Sequence, residues 1–153
     1  SNLAAQLDGA GAAGLVLFNR LFQPELDIEA LEVKRVLHLS DSSELPLRLR
    51  WLGVLSAQVE CSLAASGGVH TTADAVKALM TGADAVQLVS LLLKKGPGEI
   101  GVLRSGLSVW LEEHRYESLA QLRGSMNYKS CPDAAAYLRA NYMMLLQSWA
   151  PEA

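Results

Sequence analysis

Three times along this chain an apolar stretch runs out into a glycine or a polar residue, and helical patterns separate one stretch from the next. The first is Gly14-Leu-Val-Leu-Phe18, ending in Asn19. The second runs from Val59 to Ala65 and ends in Ser66-Gly67-Gly68, and the third runs from Ala85 to Val89 and ends in Ser90. Continuous apolar strands separated by helices predict a parallel sheet covered on both faces, hence an α/β fold. Half of the 153 residues are hydrophobic, enough for one domain with a core of its own.

The helical patterns carry their own start and stop signals. After the second strand, Thr71-Thr72 offers capping hydroxyls and Asp74 suits the positive end of a helix. Val76, Leu79 and Met80 then repeat at i, i+3, i+4 before Gly82 stops the pattern, which predicts a strand-helix-strand unit of about thirty residues. Between the first two strands Ser43 is expected to cap a helix with Pro46 in its first turn. Leu45, Leu49, Leu52 and Leu55 form its apolar stripe, while Arg48 and Arg50, like Glu112-Glu113, are expected on solvated faces. The preceding stretch, Phe22 to Leu39, partly alternates (Leu31, Glu32, Val33, Lys34) and reads as a small hairpin-like excursion above a barrel rim.

From Pro97 onward the pattern is helical. Ile100, Leu103, Leu107 and Trp110 share one face of a long helix ending near His114-Arg115, and Ser118-x-x-Gln121 is a capping box for a short one. Pro132 is expected to open a third helix carrying Leu138, Tyr142, Leu145 and Trp149. Gly96-Pro97-Gly98 marks a sharp corner, dividing the chain into a barrel-like part, residues 1–96, and a closing helix with a helical extension, residues 97–153.

Charge and composition narrow the function. A net charge of -3 and scattered basic residues lack the electrostatic footprint of a nucleic-acid binder. No run reaches the roughly 18 apolar residues of a membrane span. The richest stretch, Ala83 to Leu93, is broken by Asp84, Gln87 and Ser90. The opening Ser1-Asn2-Leu3 has no basic or apolar export signal. Cys61 and Cys131 lie far apart without a Cys-x-x-Cys or a nearby His pair, which argues against a metal, a redox dithiol or a disulfide scaffold. Together these features predict a cytoplasmic protein without bound metal.

The informative constellation is Ser66-Gly67-Gly68-Val69-His70-Thr71-Thr72, followed after one helix by Gly82-Ala83-Asp84-Ala85 and then Ser90. Two adjacent glycines at a strand end let the backbone approach an anion with no Cβ in the way, and Ser90 at the next strand end would complete the grip. In (β/α) barrels the loops after the seventh and eighth strands commonly cradle a phosphate. Glycine pairs in loops more often mean only a tight turn. Here the placement between a buried strand and a capped helix favours phosphate. His70 reads as a solvated first-turn residue before it reads as a phosphate donor. Arg20 leaves two readings open, a partner for a substrate carboxylate or an ordinary surface residue. Gln87 is expected to hydrogen-bond within the barrel, Cys61 to act as a small mid-strand hydrophobe, and His38 and His114 have no partner in the sequence.

The same motifs resemble the seventh and eighth strands of the dihydroorotate dehydrogenase family: Ser66-Gly67-Gly68-Val69, the Thr-x-x-Asp-Ala helix start, and Gly-Ala-Asp-Ala-Val-Gln-Leu-Val-Ser at residues 82–90. Leu17-Phe18-Asn19 is similar to that family's sixth strand, and Tyr116 to Gly124 to the helical signature after its barrel. The resemblance implies the C-terminal part of an FMN-dependent (β/α) barrel: a partial TIM barrel of about three βα units with a C-terminal helical extension. It also implies that Gly67, Gly68 and Ser90 bind the FMN phosphate with Ser66 beside them, and that Asn19 lies near the flavin and a dihydroorotate-type substrate. An amide can donate and accept at one ring edge, which suits that role.

The chain departs from the family pattern at Arg20, where the family often has Ser, and at Val89, where it usually has Gly. The family's catalytic base and strand-five lysine would lie upstream of Ser1, so no catalytic residue is assigned and the isolated chain is not expected to be active. The expected activity of the parent is oxidation or reduction at a CH–CH group in pyrimidine biosynthesis. Two other functions remain open: a non-flavin barrel enzyme for phosphorylated metabolites, and a non-catalytic interaction module. Three strands leave exposed sheet edges, so the missing barrel half or a second copy of the chain is the expected partner.

Overall fold

The computed structural model describes residues 2–19 and 24–137. Its centre is a parallel sheet of three strands, β1 (Gly14–Leu17), β4 (Ser62–Ser66) and β5 (Ala85–Gln87), in the order β1-β4-β5. Leu17 lies opposite Ala65, and Ser66 opposite Gln87, so all three strands finish at one edge. This is the partial (β/α) arrangement expected from the apolar runs. A helix that the sequence pattern does not announce, α1 (Asn2–Gly9), precedes β1. Its Asp8 carboxylate accepts the N–H groups of Glu60 and Cys61 at 2.9 and 3.0 Å, which ties the helix to the approach of β4. That strand starts at Ser62, three residues later than expected, so Cys61 stands before it rather than within it.

The excursion after β1 is a two-stranded antiparallel hairpin, β2 (Glu25–Asp27) and β3 (Glu32–Lys34), as expected from the alternation. Asp27 closes it, accepting the N–H groups of Glu29 and Ala30, each at 3.0 Å, and pairing with Lys34.

The following helix, α2 (Leu45–Leu55), is entered through a 3-10 turn, Ser42–Glu44. Asp41 caps that turn, and Ser43 does not cap α2, whose own N-cap, Glu44, makes no side-chain capping bond. The Asp41 carboxylate takes the Ser43 N–H at 2.8 Å and its hydroxyl at 2.5 Å, which places Ser43 inside the turn. Leu45, Leu52 and Leu55 are buried and Leu49 is half-buried, as the stripe predicts. Arg50 is exposed, but Arg48 is buried rather than solvated, because it falls on the same helix face as Leu45, Leu52 and Leu55.

Helix α3 (Thr72–Met80) has the anticipated capping box, with the Thr71 hydroxyl and the Asp74 carboxylate each accepting the other residue's backbone N–H. Ala65, Ala78 and Ala83 have no exposed surface, and they join Leu52, Leu55 and Leu63 in the main core. The third strand is shorter than expected. After Gln87 the chain turns into α4 (Val89–Lys95), so Val89 and Ser90 belong to the first helical turn. The packing of Leu91, 1% exposed, explains the change: a helix delivers this residue to the interior, and Lys94 and Lys95 then meet the negative helix end.

The closing helix, α5 (Glu99–Glu113), buries Leu103 and, in part, Leu107 and Trp110, whereas Ile100 stays exposed. It approaches α3 at Gly106, where a Cβ would collide with the Thr72 hydroxyl. Ser118 caps α6 (Leu119–Leu122) through the Gln121 N–H, while the Gln121 side chain accepts from Glu117 N–H. A 3-10 turn, Ala134–Tyr137, follows Pro132. The expected stripe of Leu138, Tyr142, Leu145 and Trp149 lies outside the described residues, as do Arg20 and Phe22.

Candidate anion site

The shared end of the sheet opens into a cavity of about 250 Å3. Asn19 after β1, Ser66 at the end of β4 with Gly67 and Gly68 following it, and Ser90 at the start of α4 all line it, so the five residues singled out from the sequence are brought together. Ligand crevices in parallel α/β sheets lie outside the carboxyl ends of the strands, which is where this one lies. Gln87 is exposed on the cavity wall, not enclosed by the sheet as expected.

Gly67 and Gly68 have φ of +81° and +85°, a conformation that costs other residues energy. Space excludes side chains as well. A Cβ on Gly68 would lie 2.7 Å from the Leu45 backbone nitrogen, and one on Gly67 would lie 3.0 Å from Nη2 of Arg48. The turn therefore presses against the start of α2 on one side and faces the cavity on the other.

Ser40, 3% exposed, is where several of the surrounding groups meet. Its N–H donates to Oγ of Ser90 at 3.1 Å, and its carbonyl accepts from Nζ of Lys94 at 2.8 Å. Its hydroxyl lies 3.3 Å from Nε2 of His70 and accepts the Gly68 N–H at 3.4 Å. His70 thus turns its ring inward instead of being solvated in the way its position suggested. Its backbone N–H, with that of Thr71, goes to the buried Asp74 carboxylate, each at 3.0 Å. The Ser42 hydroxyl adds a third donor to Asp74 at 2.6 Å. Burial works against the charge of Asp74, but these donors outweigh it and hold the carboxyl below its ordinary value.

The sequence reading missed Ser40, Arg48 and Lys94. Arg48 had a signal, because residues 45, 48, 52 and 55 share one helix face. Ser40 and Lys94 had none, since they meet across 54 residues. Elsewhere, burial first and the nearby Asp8 second push the Cys61 thiol up, which leaves it protonated near neutrality. No metal-ligating cluster and no helix long and apolar enough to cross a membrane occur among the described residues.

No protein-family model matches the chain. Among curated proteins it is dihydroorotate dehydrogenase-like. It is 28% identical to the catalytic subunit of dihydroorotate dehydrogenase B (NAD(+)) of Caldicellulosiruptor bescii over 83% of this chain and 43% of that protein. The corresponding subunit of Pelobacter propionicus is 32% identical over 76% of this chain and 39% of its own length. A putative dihydroorotate dehydrogenase A (fumarate) of Aeropyrum pernix is 29% identical over 75% of this chain and 39% of its own length. The chain thus spans about two-fifths of the relatives it matches.

Proposed function

We propose that this chain supplies the phosphate-gripping end of an FMN site in a dihydroorotate dehydrogenase-like oxidoreductase. The observation that carries the reading is the convergence of Gly67, Gly68, Ser90 and Asn19 on one cavity at the strand ends. The donor chemistry fits a phosphate. Ser90 accepts from Ser40 N–H, which leaves its own proton to give to an anion oxygen. The Gly68 N–H holds its present partner at 3.4 Å, longer than the roughly 3.0 Å that an N–H donor prefers, so an anion oxygen would satisfy it better. His70 lines the same cavity, and Lys94, on α4 with Ser90, donates to the Ser40 carbonyl beside it.

The size fits one end of a cofactor. About 250 Å3 falls below the roughly 300–1,000 Å3 of pockets that enclose a whole drug-sized molecule. When bound, FMN would supply the redox chemistry. The residues of this chain would fix its phosphate through Gly67, Gly68, Ser66 and Ser90, and Asn19 would present its amide toward the ring and a dihydroorotate-type substrate. Catalysis requires groups from the rest of the cleft, and the span of two-fifths of the relatives supports that division.

Flavin absorbance of the purified protein and titration with FMN test the reading. The expected result is saturable binding that inorganic phosphate competes away, and that Ser90→Ala weakens about tenfold, the ~1.4 kcal/mol scale of one hydrogen bond to a charged group. A colourless protein that takes up neither FMN nor phosphate overturns it.

A further inference from the structure

Arg48 lies beneath the glycine turn, with its side chain only 8% exposed. Its Nε donates to the Ser66 carbonyl at 2.5 Å, and its Nη1 to the Glu44 carbonyl at 2.6 Å. Nη2 reaches the Glu44 carboxylate at 3.4 Å, so part of the positive charge is balanced locally. Arg48 is also one of the residues that line the cavity. We propose that Arg48 is the positioning residue of the anion cradle, setting the direction in which the Ser66–Gly67–Gly68 turn presents its backbone. The proposal rests on the phosphate reading above.

The Ser66–Gly67 peptide is trans, so its C=O and N–H point in opposite directions. Anchoring the Ser66 oxygen on Nε therefore fixes the orientation of the Gly67 N–H. Two successive glycines have the widest choice of backbone conformation of any dipeptide, and a turn built from them needs an outside tie to hold one state. Arg48 provides that tie from α2 through a planar fork that bridges two carbonyls 22 residues apart in sequence, Glu44 and Ser66. A Cβ on Gly67 would lie only 3.0 Å from Nη2, so the fork occupies the space that a side chain at residue 67 would need.

The test uses the full chain, inorganic phosphate and FMN as probes, and amide NMR of Gly67 and Gly68. Arg48→Met is expected to weaken phosphate and FMN binding at least tenfold at a temperature where the variant is fully folded, and to shift or broaden both glycine resonances before ligand is added. Arg48→Lys, which keeps the charge but cannot span both carbonyls, is expected to stay within threefold of the Met variant. Full recovery in the Lys variant would assign the effect to charge and overturn the proposal. Unchanged affinity or unchanged glycine resonances in the Met variant would overturn it too. Glu44→Gln keeps both carbonyl bonds and serves if the Arg48 variants do not fold. It should bind phosphate as tightly as the original chain or up to fivefold more tightly, and weaker binding would count against the proposal. A starting protein that binds neither probe removes the phosphate reading itself, an outcome distinct from all of these.

Discussion

Asp74 is a carboxylate buried to 5% exposure that answers three donors at once: the Ser42 hydroxyl and the N–H groups of His70 and Thr71. It therefore couples the entry turn of α2 to the entry turn of α3, with the glycine turn between them in space. Burial raises its pKa and the donors lower it, with a net depression below 3.8. A group whose folded pKa is depressed contributes stability that is fully present above its unfolded value and disappears as pH falls through the folded one. Asp74→Asn should thus cost about 1–3 kcal/mol near pH 7, because it removes the charge-assisted bonds. That cost should shrink as the pH falls from the ordinary value of 3.8 through the lower folded one, because the unfolded chain takes up its proton first and the folded carboxylate only at lower pH. Thermal unfolding of both proteins between pH 7 and pH 2.5 measures the gap, and a gap independent of pH would show that charge plays no part. Gly68 makes a different demand, of conformation and space together. Gly68→Ala should cost more than about 1 kcal/mol, because its φ is positive and the added Cβ would meet the Leu45 backbone.

At the scale of elements, α3 was legible in the sequence because its cap, its acidic first turn and its apolar stripe all favour the same helix. Thr71→Ala removes one partner of the capping box and should cost about 1 kcal/mol. A midpoint lowered by about 2–4 °C is expected for a chain of this size, while an unchanged midpoint would mean that the turn is held from elsewhere. The end of β5 was not legible by the same logic. Val89 and Ser90 follow an apolar run and read as its continuation, but the depth to which Leu91 is packed decides for a helix. The capping side chain at the entry to α2 is Asp41, on the 3-10 turn, and not Ser43, for a local reason: the stronger acceptor stood two residues earlier. Arg48 shows a third kind of gap. Its place on the buried face could be read from spacing, but its acceptability there depends on the Ser66 carbonyl at the end of another element. Ser40 depends wholly on such distant partners, so only the folded chain reveals it.

On the scale of the whole molecule, the sheet has three strands where a closed barrel has about eight. Among the described residues β1 and β5 each pair on one side only, which leaves backbone donors and acceptors on two edges. Next to β1 lies an apolar groove of about 460 Å3, lined by Leu3, Leu7, Val16 and Trp51, with Leu3 68% and Val16 52% exposed. An exposed strand edge beside exposed apolar side chains is the arrangement by which two copies of a chain extend one sheet, because each edge supplies the hydrogen bonds that the other lacks. The 153-residue chain is therefore expected to self-associate at micromolar concentration through β1. Sedimentation should show a species larger than the monomer, and Val16→Lys, which places a charge beside the free edge, should shift it toward monomer. Sedimentation of the original chain as monomer alone at that concentration would show that a second copy does not cover this edge.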